Sequence, residues 1–158
     1  GSGSAPAMDV KLPQQKTPAT ADSLKATSSV ALPKRAVDRT LSLELTGGME
    51  KYDWAINGKR MNMDKPMRDA LGIVEGERVA LEFKNSTEMW HPMHLHGHTF
   101  QVMGEDGRPG ARKDTLIVLP MQRIRVLFAA DNPGQWMLHC HNAYHAEAGM
   151  MGVFSYIH

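Results

Sequence analysis

Seven of the eight histidines lie in two short segments of the chain, and the only cysteine lies in the second segment. The histidines are His91, His94, His96, His98, His139, His141 and His145. Imidazole and thiolate are the side chains that bind zinc, copper and related metals most readily. A lone cysteine is often only a small buried hydrophobic residue, but the histidines on both sides of Cys140 favour a metal site.

The second segment has the spacing of a blue-copper site. Alternate side chains of a strand face opposite sides, so Cys140 is predicted to face the core, whereas His139 and His141 face outward. His145 and Met150 follow Cys140 at intervals of five residues. A blue-copper site has two histidines and one cysteine in a trigonal plane, with a weak axial methionine. This segment therefore supplies all of these ligands except one histidine.

The first segment can supply the missing histidine, and His91 is the natural candidate. His94 and His96 are two residues apart, so on an extended backbone they face the same side. They would then be aimed in the same way as His139 and His141. A structural zinc site needs only about four ligands, and seven histidines, a cysteine and a methionine are too many for one zinc ion. The sequence thus favours a copper site over a structural zinc site.

These ligands require a scaffold of short strands. Hydrophobic alternation and turn residues predict strands at 41–45, 54–56, 78–83, 100–103, 115–119, 124–128, 135–140 and 151–157. Asn57-Gly58 is a strong hairpin-turn signal, Asn85-Ser86-Thr87 is predicted to end a strand, and residues 142–149 to form one or two helical turns. Seven or eight short strands indicate an all-β sandwich or small barrel.

Composition limits the other possibilities. With 158 residues, of which 42% are hydrophobic, the chain fits one domain plus an extension. Residues 1–38 are rich in Ser, Thr, Ala, Lys and Pro and are predicted to be a linker or extended arm; residues 39–158 are predicted to form the domain. A net charge of +1 gives no case for nucleic acid or an anionic membrane. No apolar stretch approaches the roughly 18 residues of a membrane span.

The two histidine segments resemble those of a known family. His91–Phe100 and the triplet His139-Cys140-His141, followed by His145 and Met150, are similar to the C-terminal domain of bacterial multicopper oxidases. That family includes laccases, copper-resistance oxidases and ferroxidases. The resemblance extends from Leu41 onward and implies a cupredoxin-like, Greek-key β-sandwich or barrel with a short helical turn near the C-terminus.

The resemblance also implies a role for each ligand. The type 1 copper would be bound by His91, Cys140, His145 and Met150. The type 2 copper would be bound by His94, and the type 3 pair by His96, His139 and His141. Electrons from a phenolic or low-valent metal-ion substrate would enter at type 1 copper. They would pass through the His139-Cys140-His141 triplet to a trinuclear copper cluster that reduces dioxygen to water.

The chain departs from the family in the number of its His-x-His pairs. The family holds its trinuclear cluster with four such pairs, two from each of two domains, and the pairs of this chain that match them are two, His94/His96 and His139/His141. We therefore expect that other cupredoxin domains of the same oxidase, in this or a separate chain, complete the cluster, and that the isolated chain is inactive. The family implies an extracytoplasmic location, although no signal peptide is visible.

Two further functions are weighed against an oxidase. A standalone blue-copper electron carrier would use His91, Cys140, His145 and Met150 but has no use for the outward-facing histidines. In copper nitrite reductases the cysteine does not lie within a His-Cys-His triplet. Both alternatives therefore account for less of this sequence.

Three secondary features leave alternatives open. His98 could be a ligand, but a packing or hydrogen-bonding role is favoured. Asp114 could orient a ligand imidazole, as such outer partners do, or be a simple turn carboxylate. Several of the twelve methionines could form a Cu(I) docking surface or fill the core. These are Met49, Met61, Met63, Met67, Met89, Met93 and Met151.

Overall fold

The computed structural model describes residues 23–157, which form eleven strands and one short helix. In chain order these are β1 (Arg39–Thr46), β2 (Ala55–Ile56), β3 (Leu71–Ile73), β4 (Arg78–Asn85), β5 (His91–Leu95), β6 (Phe100–Met103), β7 (Pro109–Lys113), β8 (Thr115–Val118), β9 (Arg123–Ala129), β10 (Gln135–Cys140), α1 (Ala143–Glu147) and β11 (Met151–Tyr156).

The strands form two sheets that pack face to face. One sheet has the order β2-β1-β4-β9-β6-β7, and the other has the order β3-β11-β10-β5-β8. Most neighbours are antiparallel, but β1 pairs with β4 in parallel and β11 with β3. Apolar side chains from both sheets form one buried cluster between them. The predicted all-β sandwich with a short helix near the C-terminus is confirmed.

Strand β4 shows why the sequence folds in this way. Val79, Leu81 and Phe83, which were predicted to face inward, are at most 1% exposed. Burying each such side chain contributes about 1.5–3 kcal/mol to folding. The predicted turn at Asn57-Gly58 is also confirmed, because both residues have positive φ, 52° and 69°, as a two-residue hairpin requires.

Three strands, β3, β5 and β7, were not predicted as such, so the expected count of seven or eight was too low. Each of them contains a glycine or a proline, which are weak strand formers. β5 is held between β10 and β8, and β3 pairs with β11 near the C-terminus. β3 and β5 thus exist because distant segments pair with them, which local periodicity does not report, whereas β7 forms a hairpin with the preceding strand β6.

The first described residues cross the edge of the six-stranded sheet. The amide of Ala26 donates to the Gly110 carbonyl (3.0 Å), and that of Leu32 to the Gln101 side-chain oxygen (2.9 Å). Residues 1–22 of the predicted arm, and residue 158 of the predicted domain, lie outside the described residues. The boundary at residue 38 remains a prediction. Among residues 23–157, no helix is both long and apolar enough to span a bilayer.

Candidate metal centre

Strands β5 and β10 position the predicted ligands on two sides of one sheet. The strands pair antiparallel, with Cys140 opposite Met93 and His139 opposite His94. Cys140 is fully buried in the core, whereas His139 is half-buried on the other face. The alternation predicted for this strand is therefore present, and it separates an inner group of predicted ligands from an outer one.

The inner group consists of His91, Cys140 and His145. The Cys140 sulfur lies 3.8 Å from Nδ1 of His91 and 3.7 Å from Nδ1 of His145, and these two nitrogens are 3.1 Å apart. All three residues are buried, and their ligand atoms lie within 4.8 Å of one another. Two imidazole nitrogens and one sulfur directed at a common point fit the trigonal set of a blue-copper ion.

Met150 returns to this group on a short loop. Asn142 caps α1 by accepting from the Tyr144 amide (3.2 Å), and Gly149 then turns the chain with a φ of +122°. The Cys140 amide donates to the Met150 carbonyl (3.1 Å), and the Met150 side chain is fully buried. The loop thus brings a thioether residue back beside the cysteine.

A second loop holds the return loop from outside. The Arg60 side chain donates through Nε to the Ala148 carbonyl (2.7 Å), and the Met61 amide donates to the Gly149 carbonyl (3.0 Å). A Cβ on Gly149 would lie 2.8 Å from Cβ of Arg60. The loop that carries His145 and Met150 is therefore fixed by contacts with residues far away in sequence.

Burial keeps the inner group uncharged when no metal is bound. The Trp54 ring lies 4.3 Å from the His145 ring and 5.2 Å from the His91 ring. Desolvation, followed by the proximity of His145, lowers the pKa of His91 to about 4. Desolvation also raises the pKa of the Cys140 thiol to about 11, against a smaller opposing effect of the Asn142 backbone hydrogen bond. Binding as a thiolate therefore requires release of a proton.

The outer group consists of His94, His96, His139 and His141. The first three have ligand nitrogens within 4.8 Å of one another, and Nε2 of His96 lies 3.0 Å from Nε2 of His139. The His141 ring is 5.7 Å from that of His94 and 5.8 Å from that of His139. His96 and His141 are exposed. Imidazoles of this group are therefore accessible on the surface of the five-stranded sheet.

Backbone carbonyls orient two of these rings. His94 donates from Nδ1 to the Asp114 carbonyl (2.9 Å), and His139 donates from Nδ1 to the Cys140 carbonyl (2.9 Å). Each ring then has a bare Nε2 for a metal. Asp114 is thus a hydrogen-bonding partner of a predicted ligand imidazole, through its backbone oxygen.

His98 lies outside both groups. Its Nε2 contacts the Tyr156 hydroxyl (2.8 Å), its Nδ1 contacts the His96 carbonyl (3.2 Å), and its ring packs against Phe128 and Trp136. It has a hydrogen-bonding and packing role, which is the alternative that the sequence favoured.

The methionines differ in burial: Met93 is fully buried, whereas Met49 and Met63 are more than 60% exposed. The Cu(I) docking surface remains a prediction.

Sequence reasoning missed the polar residues next to His91. Thr87 was predicted only to end a strand, yet its hydroxyl lies 2.8 Å from Nε2 of His91. Asn85, which contacts Thr87, is only 1% exposed. The available signal was a polar pair in the turn directly before a candidate ligand, where a hydrogen-bonding partner is common.

Comparison with known proteins agrees with this geometry. Residues 34–157 match a family model described as multicopper oxidase. The chain is 47% identical over 138 residues to the multicopper oxidase MmcO of Mycobacterium tuberculosis, covering 87% of this chain and 27% of that protein. It is 39% identical over 116 residues to copper resistance protein A of Escherichia coli, covering 73% of this chain and 18% of that protein.

A similar fold is present in solved structures. The multicopper oxidase McoA of Aquifex aeolicus superposes with a TM-score of 0.67 at 29% identity, covering 81% of this chain and 31% of that one. The chain therefore spans less than a third of the length of these relatives.

Proposed function

Since this chain belongs to the multicopper oxidase family, we propose that it is the electron-accepting domain of a larger oxidase. His91, Cys140, His145 and Met150 would hold the type 1 copper. His94 would hold the type 2 copper, and His96, His139 and His141 the type 3 pair. When bound, copper would supply one-electron chemistry, taking electrons from a reducing substrate and delivering them to dioxygen, which becomes water.

One observation carries this proposal. Cys140 belongs to the inner group, and its two neighbours in sequence, His139 and His141, belong to the outer group. The two groups are therefore linked by a few covalent bonds of a single strand end. A standalone electron carrier would gain nothing from imidazoles on the outer face, so that alternative is not favoured.

The chain's own residues prepare the inner group. The neutral His91 and His145 offer lone pairs, and the core around them excludes water. A soft sulfur and two imidazoles suit both copper oxidation states, because thiolate favours Cu(I) and imidazole accommodates either. A site held by β5, β10, α1 and the loop that follows α1 would also need little rearrangement when an electron arrives.

The outer group needs a partner in this proposal. The four imidazoles amount to half of the family's His-x-His pairs, and the relatives are more than three times as long as the matched region. We propose that another cupredoxin domain of the same oxidase supplies the remaining pairs. A phenol or a low-valent metal ion is proposed as the reducing substrate, and an extracytoplasmic location is proposed from the family.

The type 1 assignment is tested by replacing Cys140. Copper-loaded chain should show the intense visible absorption of a Cu(II)–thiolate bond, and Cys140→Ser should abolish it, because serine offers no thiolate. His141→Asn is the matched control: it alters the adjacent outer residue and should keep the colour. A Cys140→Ser protein that stayed blue would refute the assignment.

A further inference from the structure

A chain of buried polar side chains leads from the end of β4 to His91. Asn85 is 1% exposed, Thr87 is 4% exposed and His91 is fully buried. The Asn85 side-chain oxygen lies 2.8 Å from the Thr87 hydroxyl, which lies 2.8 Å from Nε2 of His91. Burying a polar group costs free energy unless it has a hydrogen-bonding partner. The protons along this hydrogen-bonded series of side chains therefore have defined positions.

The orientation of the Asn85 amide follows from its surroundings. Its nitrogen lies within hydrogen-bonding distance of the carbonyl oxygens of Met89 (2.7 Å), Val118 (3.1 Å) and Leu119 (3.0 Å). An amide flipped by 180° would direct its oxygen at three acceptors. The Asn85 oxygen therefore faces Thr87, where it accepts from the Thr87 amide (2.9 Å).

The Thr87 hydroxyl has one proton and two lone pairs. The Asn85 oxygen, 2.8 Å away, can only accept, so the hydroxyl proton is directed to it. The Met89 carbonyl, 3.1 Å away, is a second acceptor for this proton, so the proton is directed away from His91 in either case. The Met89 amide donates to one lone pair (3.2 Å). The other lone pair faces His91, whose Nε2 must then carry the proton.

We propose that Asn85 and Thr87 are positioning residues that hold His91 in its Nε2–H tautomer with Nδ1 bare and directed at Cys140. Nδ1 is the atom that lies 3.8 Å from the sulfur and 3.1 Å from Nδ1 of His145. The pair thus selects the ligand atom before any metal arrives. The tautomer assignment stands on the metal-free geometry, and only the effect on copper rests on the proposed function.

The turn itself does not explain the contact with His91. Asn85 already closes the turn through three backbone carbonyls and the Thr87 amide. A valine at position 87 would retain that amide and nearly the same volume. It would lose the hydroxyl, which contacts Asn85 and the Met89 backbone within the turn and also accepts from His91. The tautomer of His91 is therefore the readout that separates a role in orienting the ring from a role in the turn.

The first test measures the tautomer in the metal-free 158-residue chain. Long-range ¹H–¹⁵N NMR spectra distinguish a protonated from a bare ring nitrogen, and we expect Nε2 of His91 to be protonated and Nδ1 bare. A proton on Nδ1 of His91 would overturn the proposal. This measurement needs neither a variant nor a metal.

The second test compares Thr87→Val, Thr87→Ser and Ser86→Ala. Ser86 is exposed and donates to Glu44, so it controls for the loss of a hydroxyl one residue away. Thr87→Val should mix the His91 tautomers, weaken Cu(II) binding at the blue site by about 10–100-fold and raise its reduction potential, because an unpaired imidazole is a poorer donor. Thr87→Ser and Ser86→Ala should resemble the wild-type chain.

The outcomes separate the two proposals. A wild-type chain that never turns blue with Cu(II) contradicts the proposed function but leaves the tautomer measurement valid. A blue Thr87→Val chain with wild-type tautomer, affinity and potential overturns the positioning role. If Thr87→Val does not fold, the tautomer of His91 in the wild-type chain and in Thr87→Ser, which retains the hydroxyl, still tests the proposal.

Discussion

At Gly97 the chain turns out of β5 with a φ of +68°, a region that side chains with a Cβ rarely adopt. A Cβ there would lie 2.3 Å from the ring of Trp136. That ring is anchored by its own Nε1, which donates to the Asn132 carbonyl (2.7 Å), so it cannot easily move aside. The glycine therefore lets an indole pack directly on the turn that carries His96.

Replacing this glycine should be far more costly than replacing one in open space. We expect Gly97→Ala to lower the free energy of unfolding by about 2–5 kcal/mol, the sum of left-handed strain and overpacking. Gly107→Ala, at a φ of +74° with no atom near its Cβ, should cost only the strain of about 1–2 kcal/mol. Urea denaturation of the metal-free chains measures both, and equal losses would show that the Trp136 contact is unimportant.

Among the secondary-structure elements, the turn between β3 and β4 is tied to the start of β1. Glu77 accepts from Arg39 at 2.7 and 2.8 Å and from the Val74 amide at 3.0 Å. β1 and β4 are parallel and need a long connection. The bidentate contact between Arg39 and Glu77 joins the two strands at the point where both begin.

The Glu77 contact should make stability depend on pH. The hydrogen bond from Arg39 lowers the pKa of Glu77 below its ordinary value of 4.5. The carboxylate therefore stabilises the fold above that value, and the contribution is lost as the pH falls through the lower, folded-state pKa. We expect Glu77→Gln to cost about 1 kcal/mol at neutral pH, since Arg39 is partly exposed, and the difference to vanish in strong acid.

Glu82→Gln is the matched control for this measurement. Glu82 pairs with Arg125 at 3.5 Å across neighbouring strands, with both side chains nearly half exposed. Its loss should change stability by less than about 0.5 kcal/mol. Thermal unfolding across pH compares the two variants, and a Glu77→Gln deficit that persisted at low pH would contradict a charge-based contact.

Local pattern and long-range pairing explain what sequence could predict about these elements. β4 and β10 were predictable because the side chains of consecutive residues alternate between the two faces of a strand. The same alternation places Cys140 and His139 on opposite faces. β5 was predictable only as a cluster of ligands, since its strand form depends on β8 and β10. The contact between Thr87 and His91 depends on how a turn folds back, which no spacing rule reports.

On the scale of the whole molecule, the two ligand groups differ in how complete they are. The inner group is assembled from β5, β10 and α1. The outer group presents four imidazoles on an open face, two of them exposed. The chain also spans only 27% of MmcO. Under the proposed function, an oxidase reaction would therefore need histidines beyond those of this chain.

Oxygen consumption should depend on a second polypeptide segment. We expect copper-loaded chain to consume no dioxygen with a phenol or Cu(I) as the electron donor. Addition, or fusion, of a cupredoxin domain with two further His-x-His pairs should restore turnover. An oxygen electrode measures both, and sustained turnover by the pure isolated chain would show that no other domain is needed to complete the outer group.

The separation of the inner and outer groups has a consequence for biogenesis. Free energy gained when a metal binds a folded site stabilises whatever must be folded to form that site. An ion in the inner group would thus stabilise this domain alone, whereas ions at the outer histidines would also hold a neighbouring domain in place. Under the proposed function, the order of copper delivery would therefore set the order of assembly. Copper in the inner group would stabilise this domain first, and copper at the outer histidines would then stabilise its association with the neighbouring domain.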